Sequence, residues 1–314
     1  MVEKRFIDYL AEEYNVKQKN LIEKDLILQD LMEKLIKDKF FNENFIFKGG
    51  TCLIKCYLDY YRFSEDLDFT WRKQGLWGNK SSKQVRKGVS EKIARLAVLL
   101  DKVSSELKLD FKPVKDNKKY IELGSGGIFV TFKLWYASSI SLDEQFVKIQ
   151  INFIEKFRYK FKKCSAKNLF KKNDLKEVKF LFPEYEKTIS KEIVIESYDI
   201  REILVEKIRA IITRRGVKTR DFIDVYFITR YLRENVGDYE EEIIEKILFA
   251  LKYEKYLVNL LKKHDSFKLL KLEDKKDILL ESLGKEFDKF LQDFGYFLDK
   301  LLEKIKKILK EDKK

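Results

Sequence analysis

The run "FKGGTCLIKCYLDYYRFSEDLDFTW", residues 47–71, constrains the fold more than any other stretch of the chain. "NFIFKGG" reads as a short strand that ends in a glycine turn. "TCLIKCYLDYY" follows as a helix with Thr51 near its N-terminus, and "DLDFTW" alternates as a second, aromatic strand. Strand, turn, helix and strand thus follow one another within a short span.

Asp66 and Asp68 stand at i and i+2 in that second strand, so they point to the same face. Left together without a counter-charge they repel, and burying them is costly. A divalent cation removes the cost. Mg²⁺ takes oxygen ligands, usually one or two carboxylates plus substrate phosphates. Gly49 and Gly50 let the backbone approach a phosphate, the next helix offers it free N–H groups, and Thr51 adds a hydroxyl. The pattern predicts Mg²⁺, or Mn²⁺, on Asp66 and Asp68, holding an NTP.

The rest of the chain divides in two. Residues 3–15 and 20–40 have helical spacing, and residues 81–108 form a long helix with Val85, Val89, Ile93, Leu96 and Leu100 on one stripe. "LDFKPV", "KYIEL", "GIFVTFKLWYA", "FVKIQINFIEKF" and "EIVIES" read as strands, with Gly124, Gly126 and Gly127 at a hairpin turn. From Asp199 onward the pattern is entirely helical, and the tail from Lys300 reads as a Lys-rich amphipathic helix. The fold class is therefore α+β: a mixed β-sheet with flanking helices over residues 1–197, then an all-helical domain over residues 198–314.

Net charge is +13 in 314 residues, which favours a polyanionic partner, most often nucleic acid. The stretch 162–179 holds seven lysines against two acids. Its Lys162, Lys163, Lys167, Lys171 and Lys172 are the candidate RNA contacts. His264 is the only histidine, so the chemistry is expected to run on carboxylates, lysines, hydroxyls or bound metal rather than on a histidine base or a histidine metal cluster. Cys52, Cys56 and Cys164 are too few for a disulfide framework. Cys52 and Cys56, four apart on a helix, are expected as a reduced, buried pair, which points to the cytoplasm. No stretch of 18 apolar residues occurs, so no membrane span is expected.

"KGGTCLIKCYLDYYRFSEDLDF" resembles the signature of the AbiEii/AbiGii-type nucleotidyltransferase toxins, the toxin halves of type IV toxin–antitoxin and abortive-infection systems. That pattern is a glycine pair with Ser or Thr, a short helix, then Arg-x-Ser-x-Asp-x-Asp-Phe, here Arg62, Ser64, Asp66, Asp68 and Phe69. A second block, "SYDIREILVEKIRAIITRRGVKTRDFIDVYFI", is similar to the family's downstream helices, matching at Glu206, Lys207, Ala210, Arg214, Arg220, Asp221 and Asp224. The resemblance spans about residues 45–230. It implies a core like the minimal DNA polymerase beta nucleotidyltransferase fold.

It also implies a function: transfer of a nucleoside monophosphate from an NTP to an RNA acceptor, tRNA in some relatives, under the control of an antitoxin encoded next door. Asp66, Asp68, Lys207, Asp221 and Asp224 become the catalytic candidates, and Gly49, Gly50, Thr51, Ser64 and Arg214 the nucleotide contacts. Lys207 and Arg214 are seven apart, nearly on one helix face, and suit phosphates. Of Asp221 and Asp224, one orients Lys207 while the other caps the helix or pairs with Arg220. Related nucleotidyltransferases place a third acid on a later strand, where this chain has Gln150 and Asn152. Either that base is absent, or Glu155 or a C-terminal Asp stands in. Two alternatives stay open: a protein hydroxyl as acceptor, and a catalytically degenerate scaffold that binds nucleotide or antitoxin.

Overall fold

A computed structural model describes residues 2–169, 175–186, 192–263, 267, 279–280 and 283–311. The chain forms two compact units, residues 1–155 with 161–198, and residues 156–160 with 199–314.

The first unit is built on a seven-stranded mixed sheet. Its strands are β1 (Phe45–Lys48), β2 (Asp66–Trp71), β3 (Ile121–Gly124), β4 (Phe129–Ala137), β5 (Glu144–Asn152), β6 (Lys162–Ala166) and β7 (Ile193–Ser197), in the order β3-β4-β5-β2-β1-β7-β6. β1 runs antiparallel to β2 and parallel to β7, and β2 runs parallel to β5. Alternation decides which face is core. Val130, Phe132 and Leu134 on β4, Val147, Ile149 and Ile151 on β5, and Leu67 and Phe69 on β2 are fully buried. The residues between them on β4 and β5 are mostly half-exposed.

Helices α1 (Lys4–Glu13), α2 (Lys19–Lys37), α3 (Lys39–Asn44), α4 (Gly49–Leu53), α5 (Ser82–Leu107) and α6 (Leu175–Leu181) belong to this unit. α2 packs on β2, β5 and β7, and α5 packs on α2. Ser81 and Gln84 close a capping box at the start of α5: each side chain accepts the other residue's backbone N–H, at 3.3 and 2.8 Å. Lys108 ends that helix at φ 58°.

In the second unit, α7 (Ile200–Thr213), α8 (Thr219–Leu232), α9 (Glu240–Leu251), α10 (Glu254–Leu261) and α11 (Lys285–Glu311) continue the chain. Asp199 caps α7 by accepting from Arg201 N–H at 3.0 Å. Glu202 anchors the inserted segment 156–160. Its Oε2 accepts the backbone N–H of Arg158 and Tyr159 at 2.8 and 2.9 Å, while its Oε1 meets the buried Lys246 ammonium at 2.6 Å. α11 lays Phe287, Phe294, Leu298, Leu301 and Ile305 on its buried face.

Three expectations are corrected here. "LDFKPV" is no strand: only an isolated bridge joins Asp110 to Trp135, and Pro113 has no N–H to continue a ladder. The basic stretch after residue 161 begins instead as strand β6, on the edge of the sheet. The cysteine pairing also differs. α4 passes into a π-helical turn at Ile54–Leu58, whose wider winding takes Cys56 off the face it would share with Cys52. Cys56 forms a disulfide with Cys164 of β6, Cα–Cα 5.6 Å, and Cys52 stays free, its thiol pushed up by burial. The cysteines therefore carry no argument for a reducing compartment. Among the described residues no helix is long and apolar enough to cross a membrane.

Candidate active site

The glycine turn and the two aspartates meet through the β1–β2 pairing, which sets Lys48 opposite Asp68. Gly49 follows at φ +79°, and a Cβ there would lie 2.3 Å from Asp68 Oδ2. Only glycine lets that backbone sit against the carboxylate. Gly50 is equally confined: a Cβ would fall 2.6 Å from the Arg62 guanidinium and 3.2 Å from Ser64 Oγ. Arg62 is buried and donates to the Phe63 carbonyl at 2.6 Å. Gly49→Ala is expected to cost more than ~1 kcal/mol through its positive φ. By displacing Asp68 it should also slow turnover by roughly 10²-fold, the scale of a 1 Å misplacement. Urea midpoints and kcat measured together check this; an unchanged kcat would show that the position of Asp68 does not matter.

Thr51 is buried, and its hydroxyl bonds to the Asp66 backbone carbonyl and meets Ser64 Oγ at 2.9 Å. The two hydroxyls thus clip the turn to the start of β2. α4 is only five residues long before the π-turn takes over.

Asp66 and Asp68 are both half-exposed on one face of β2. Across β5 they pair with Lys148 and Gln150. Lys148 Nζ lies 3.6 Å from Asp66 Oδ1. Gln150, standing where a third acid was sought, donates to Thr131 Oγ1 at 3.2 Å. Glu155 accepts from Asn152 Nδ2 at 3.2 Å and lies 4.0 Å from Lys48 Nζ, so its carboxylate reaches the lysine paired with Asp68. Among the described residues no group of three or more His, Cys, Asp or Glu is placed to hold a metal. A half-exposed carboxylate pair is the donor set Mg²⁺ takes when phosphates supply its other ligands. Local reading missed Lys48 and Lys148, because only strand pairing reveals them.

In the second unit, Lys207 on α7 meets Asp221 Oδ1 at 2.8 Å and Asp224 Oδ2 at 2.7 Å, both on α8. Arg214 falls just past the end of α7, in extended conformation, so it does not continue the helix face of Lys207. Its guanidinium instead reaches Asp221 Oδ2 at 2.5 Å. Both aspartates thus face Lys207, and Arg214 rather than Arg220 takes the second oxygen. Asp221 and Asp224 are 2% and 0% exposed. Burial pushes the Asp221 carboxyl up, but Lys207 and Arg214 outweigh it and hold it below the usual carboxylate range.

Of the basic residues, Lys162 and Lys163 are exposed neighbours on β6, so they point to opposite faces of the sheet. Lys167 pairs with Asp59 at 2.5 Å. Lys171 and Lys172, like His264, lie outside the described residues.

Among solved structures the chain is similar to JHP933 from Helicobacter pylori, at 18% identity over 95% of this chain and 100% of that one, TM-score 0.42. It is also similar to a presumed nucleotidyltransferase from H. pylori, at 18% identity over 92% and 99%, TM-score 0.41. No curated protein matches. Residues 30–311 match the model of the nucleotidyl transferase AbiEii toxins of type IV toxin–antitoxin systems. That match covers most of the chain, glycine turn and aspartate pair included, and the chain belongs to the AbiEii nucleotidyl transferase toxin family.

Proposed function

We propose that the chain transfers a nucleoside monophosphate from an NTP to the 3′ end of an RNA, tRNA being the favoured acceptor. The observation that carries this reading is the half-exposed Asp66–Asp68 pair with the glycine backbone packed against Asp68. Mg²⁺ or Mn²⁺, bound by Asp66 and Asp68, would neutralise charge on the triphosphate and orient it. Gly49 and Gly50 hold backbone at the position a phosphate would approach. The acceptor hydroxyl attacks the α-phosphorus and pyrophosphate leaves, so positioning and charge neutralisation are the protein's contribution. Lys207 and Arg214 are proposed as phosphate contacts on the family pattern. Asp221 and Asp224 fix the ammonium, and Asp221 fixes Arg214, a guanidinium with further N–H donors. Glu155, held by Asn152 and near Lys48, is the proposed stand-in for the third acid. As a member of a toxin–antitoxin family the chain has an antitoxin partner, which we propose is encoded next to it.

One observation favours a second reading. Gln150 occupies the strand position opposite Asp68, and a glutamine cannot take a proton from an acceptor. On that basis the protein would be a nucleotide-binding or antitoxin-binding scaffold. Incubation with each α-labelled NTP, Mg²⁺ and total tRNA separates the readings: label in RNA supports transfer to RNA, label in protein supports a protein acceptor, and label in neither supports the scaffold.

RNA affinity is expected to fall steeply with salt, because phosphate contacts release counterions. Reversing Lys162, Lys163 and Lys167 to Glu should raise the KM for RNA and leave the KM for NTP unchanged. Filter binding between 50 and 200 mM salt, a range that costs roughly 10³-fold when six or more phosphates are contacted, checks the first statement. An unchanged KM for RNA would remove β6 from the RNA surface.

A further inference from the structure

The sheet face that carries Asp66 and Asp68 continues across β5 and β4. Asp66 is paired with Lys148, and Lys148 with Lys133. Two residues along β5 from Lys148 comes Phe146, on the same face and paired with Trp135 of β4. Neither ring is buried: both are half-exposed, whereas the residues between them and their neighbours, Val147, Leu134 and Tyr136, are core. The two rings lie 4.7 Å apart between centroids. Three ammonium groups surround them. Lys148 and Lys133 sit 5.5 and 5.9 Å from the Phe146 ring, and Lys119 sits 5.1 Å from the Trp135 ring.

We infer that Trp135 and Phe146 form a stacking platform for unpaired bases at the end of the RNA acceptor, with Lys119, Lys133 and Lys148 placed for its phosphates. This rests on the reading of the chain as a nucleotidyltransferase acting on RNA. Half-exposed aromatic rings with lysines beside them are the chemistry by which sheet surfaces take single-stranded RNA, because every base has a π-face. Charge complementarity selects RNA over the NTP as the occupant. An NTP carries its charge in one triphosphate, and Gly49, Gly50 and the aspartate pair already account for that group. The cations around the rings lie on two further strands and on Lys119 just ahead of β3, a spread that matches successive phosphates of a chain. All three hold weak partners now, Lys148 with Asp66 at 3.6 Å, Lys133 with Glu122 at 3.0 Å and Lys119 with Asp110 and Glu144 at 3.1 and 3.0 Å. Exposed pairs of this kind are worth little and exchange readily for phosphate. Phe146 lies about 7 Å along β5 from the residue paired with Asp66, by the rise of two residues. A base stacked there leaves the next nucleotide within reach of the carboxylates.

The test uses the full-length protein and a 5′-fluorescein oligoribonucleotide of about eight unpaired nucleotides. Anisotropy should give a Kd that rises about tenfold in Phe146→Leu and in Trp135→Leu, the scale of losing one stacked base. The KM for NTP should stay unchanged in both, and the same oligomer in a duplex should bind far more weakly. Leucine keeps apolar bulk, and urea melts confirm folding. Independently of any variant, the oligomer should quench wild-type tryptophan emission, since Trp71 and Trp77 are buried and Trp135 is the half-exposed indole. An unchanged Kd in both leucine variants, no quenching on binding, or equal affinity for the duplex would overturn the platform while leaving the RNA reading intact. A raised KM for NTP with unchanged RNA affinity would overturn it by assigning the rings to the nucleotide's base. Wild-type protein that binds no RNA yet still releases pyrophosphate from NTP would defeat the acceptor reading itself, and the platform with it.

Discussion

Asp66→Ala and Asp68→Ala are each expected to lower nucleotidyl transfer by roughly 10³-fold, with no loss of stability. The rate loss follows from removing one of two oxygen ligands at the point where charge develops, on the scale of deleting a preorganised stabilising group. The stability expectation has a separate cause. Both side chains are half-exposed on one strand face, and without a cation they repel across two residues of β2. Lys148 at 3.6 Å offsets part of that repulsion for Asp66. Either alanine therefore relieves like-charge repulsion in the metal-free protein, and the urea midpoint should hold or rise slightly. Adding Mg²⁺ and NTP should raise the melting temperature of the parent and not of the variants. Full transfer activity in both variants would remove the carboxylate pair from the chemistry.

Lys207→Ala is expected to destabilise the protein by about 3–5 kcal/mol, the usual cost of removing one partner from a buried ion pair. Two carboxylates, 2% and 0% exposed, share that ammonium. Without it, Arg214 at the rim still pairs with Asp221. A solvated lysine on a helix surface would cost only about 0–1 kcal/mol on truncation. The pH dependence has a definite sign. The folded Asp221 carboxyl titrates below its unfolded value of about 3.9, so its contribution is complete above that value. It is lost as pH falls through the folded value. The parent should therefore lose stability in acid, and the Lys207→Ala variant should lose less over the same range, having little of that term left. Urea unfolding at pH 6 and pH 3 measures both. If Lys207 also contacts phosphate, single-turnover transfer by the folded variant under stabilising conditions falls by roughly 10²-fold as well. A normal rate per folded molecule would leave it a purely structural role.

Much of the site is local in sequence, and that part was legible. Gly49, Asp66 and Asp68 declare a turn and a strand face through chain geometry alone, and β1, α4 and β2 follow in that order. The α+β class was readable because alternation gives way to helical spacing near residue 199. What local reading missed depends on long-range pairing. The register of β2 on β5 brings Lys148 to Asp66 and Gln150 to Asp68, and no local pattern encodes it. Cys164 reaches Cys56 only because "KKCSA", too polar to read as a strand, adds to β7 as an edge. The π-turn at Ile54–Leu58 shifts the helical phase that had placed Cys52 and Cys56 together. The bond from the Thr51 hydroxyl to the Asp66 carbonyl spans fifteen residues and has no local signal. Arg214 left the face of Lys207 because α7 stops at Thr213, one residue before it.

On the proposed function, Asp66 and Asp68 drive transfer of a nucleoside monophosphate onto RNA. Its most direct measurement compares the parent with Asp68→Asn, an isosteric change that removes only the charge. Each is mixed with α-labelled NTP, Mg²⁺ and total tRNA, and the RNA is resolved from protein on a denaturing gel. Label is expected on the RNA 3′ end with the parent, with release of one pyrophosphate for each nucleotide added, and roughly 10³-fold less of both with Asp68→Asn. Equal labelling by the two proteins, or label appearing only on protein, would contradict it.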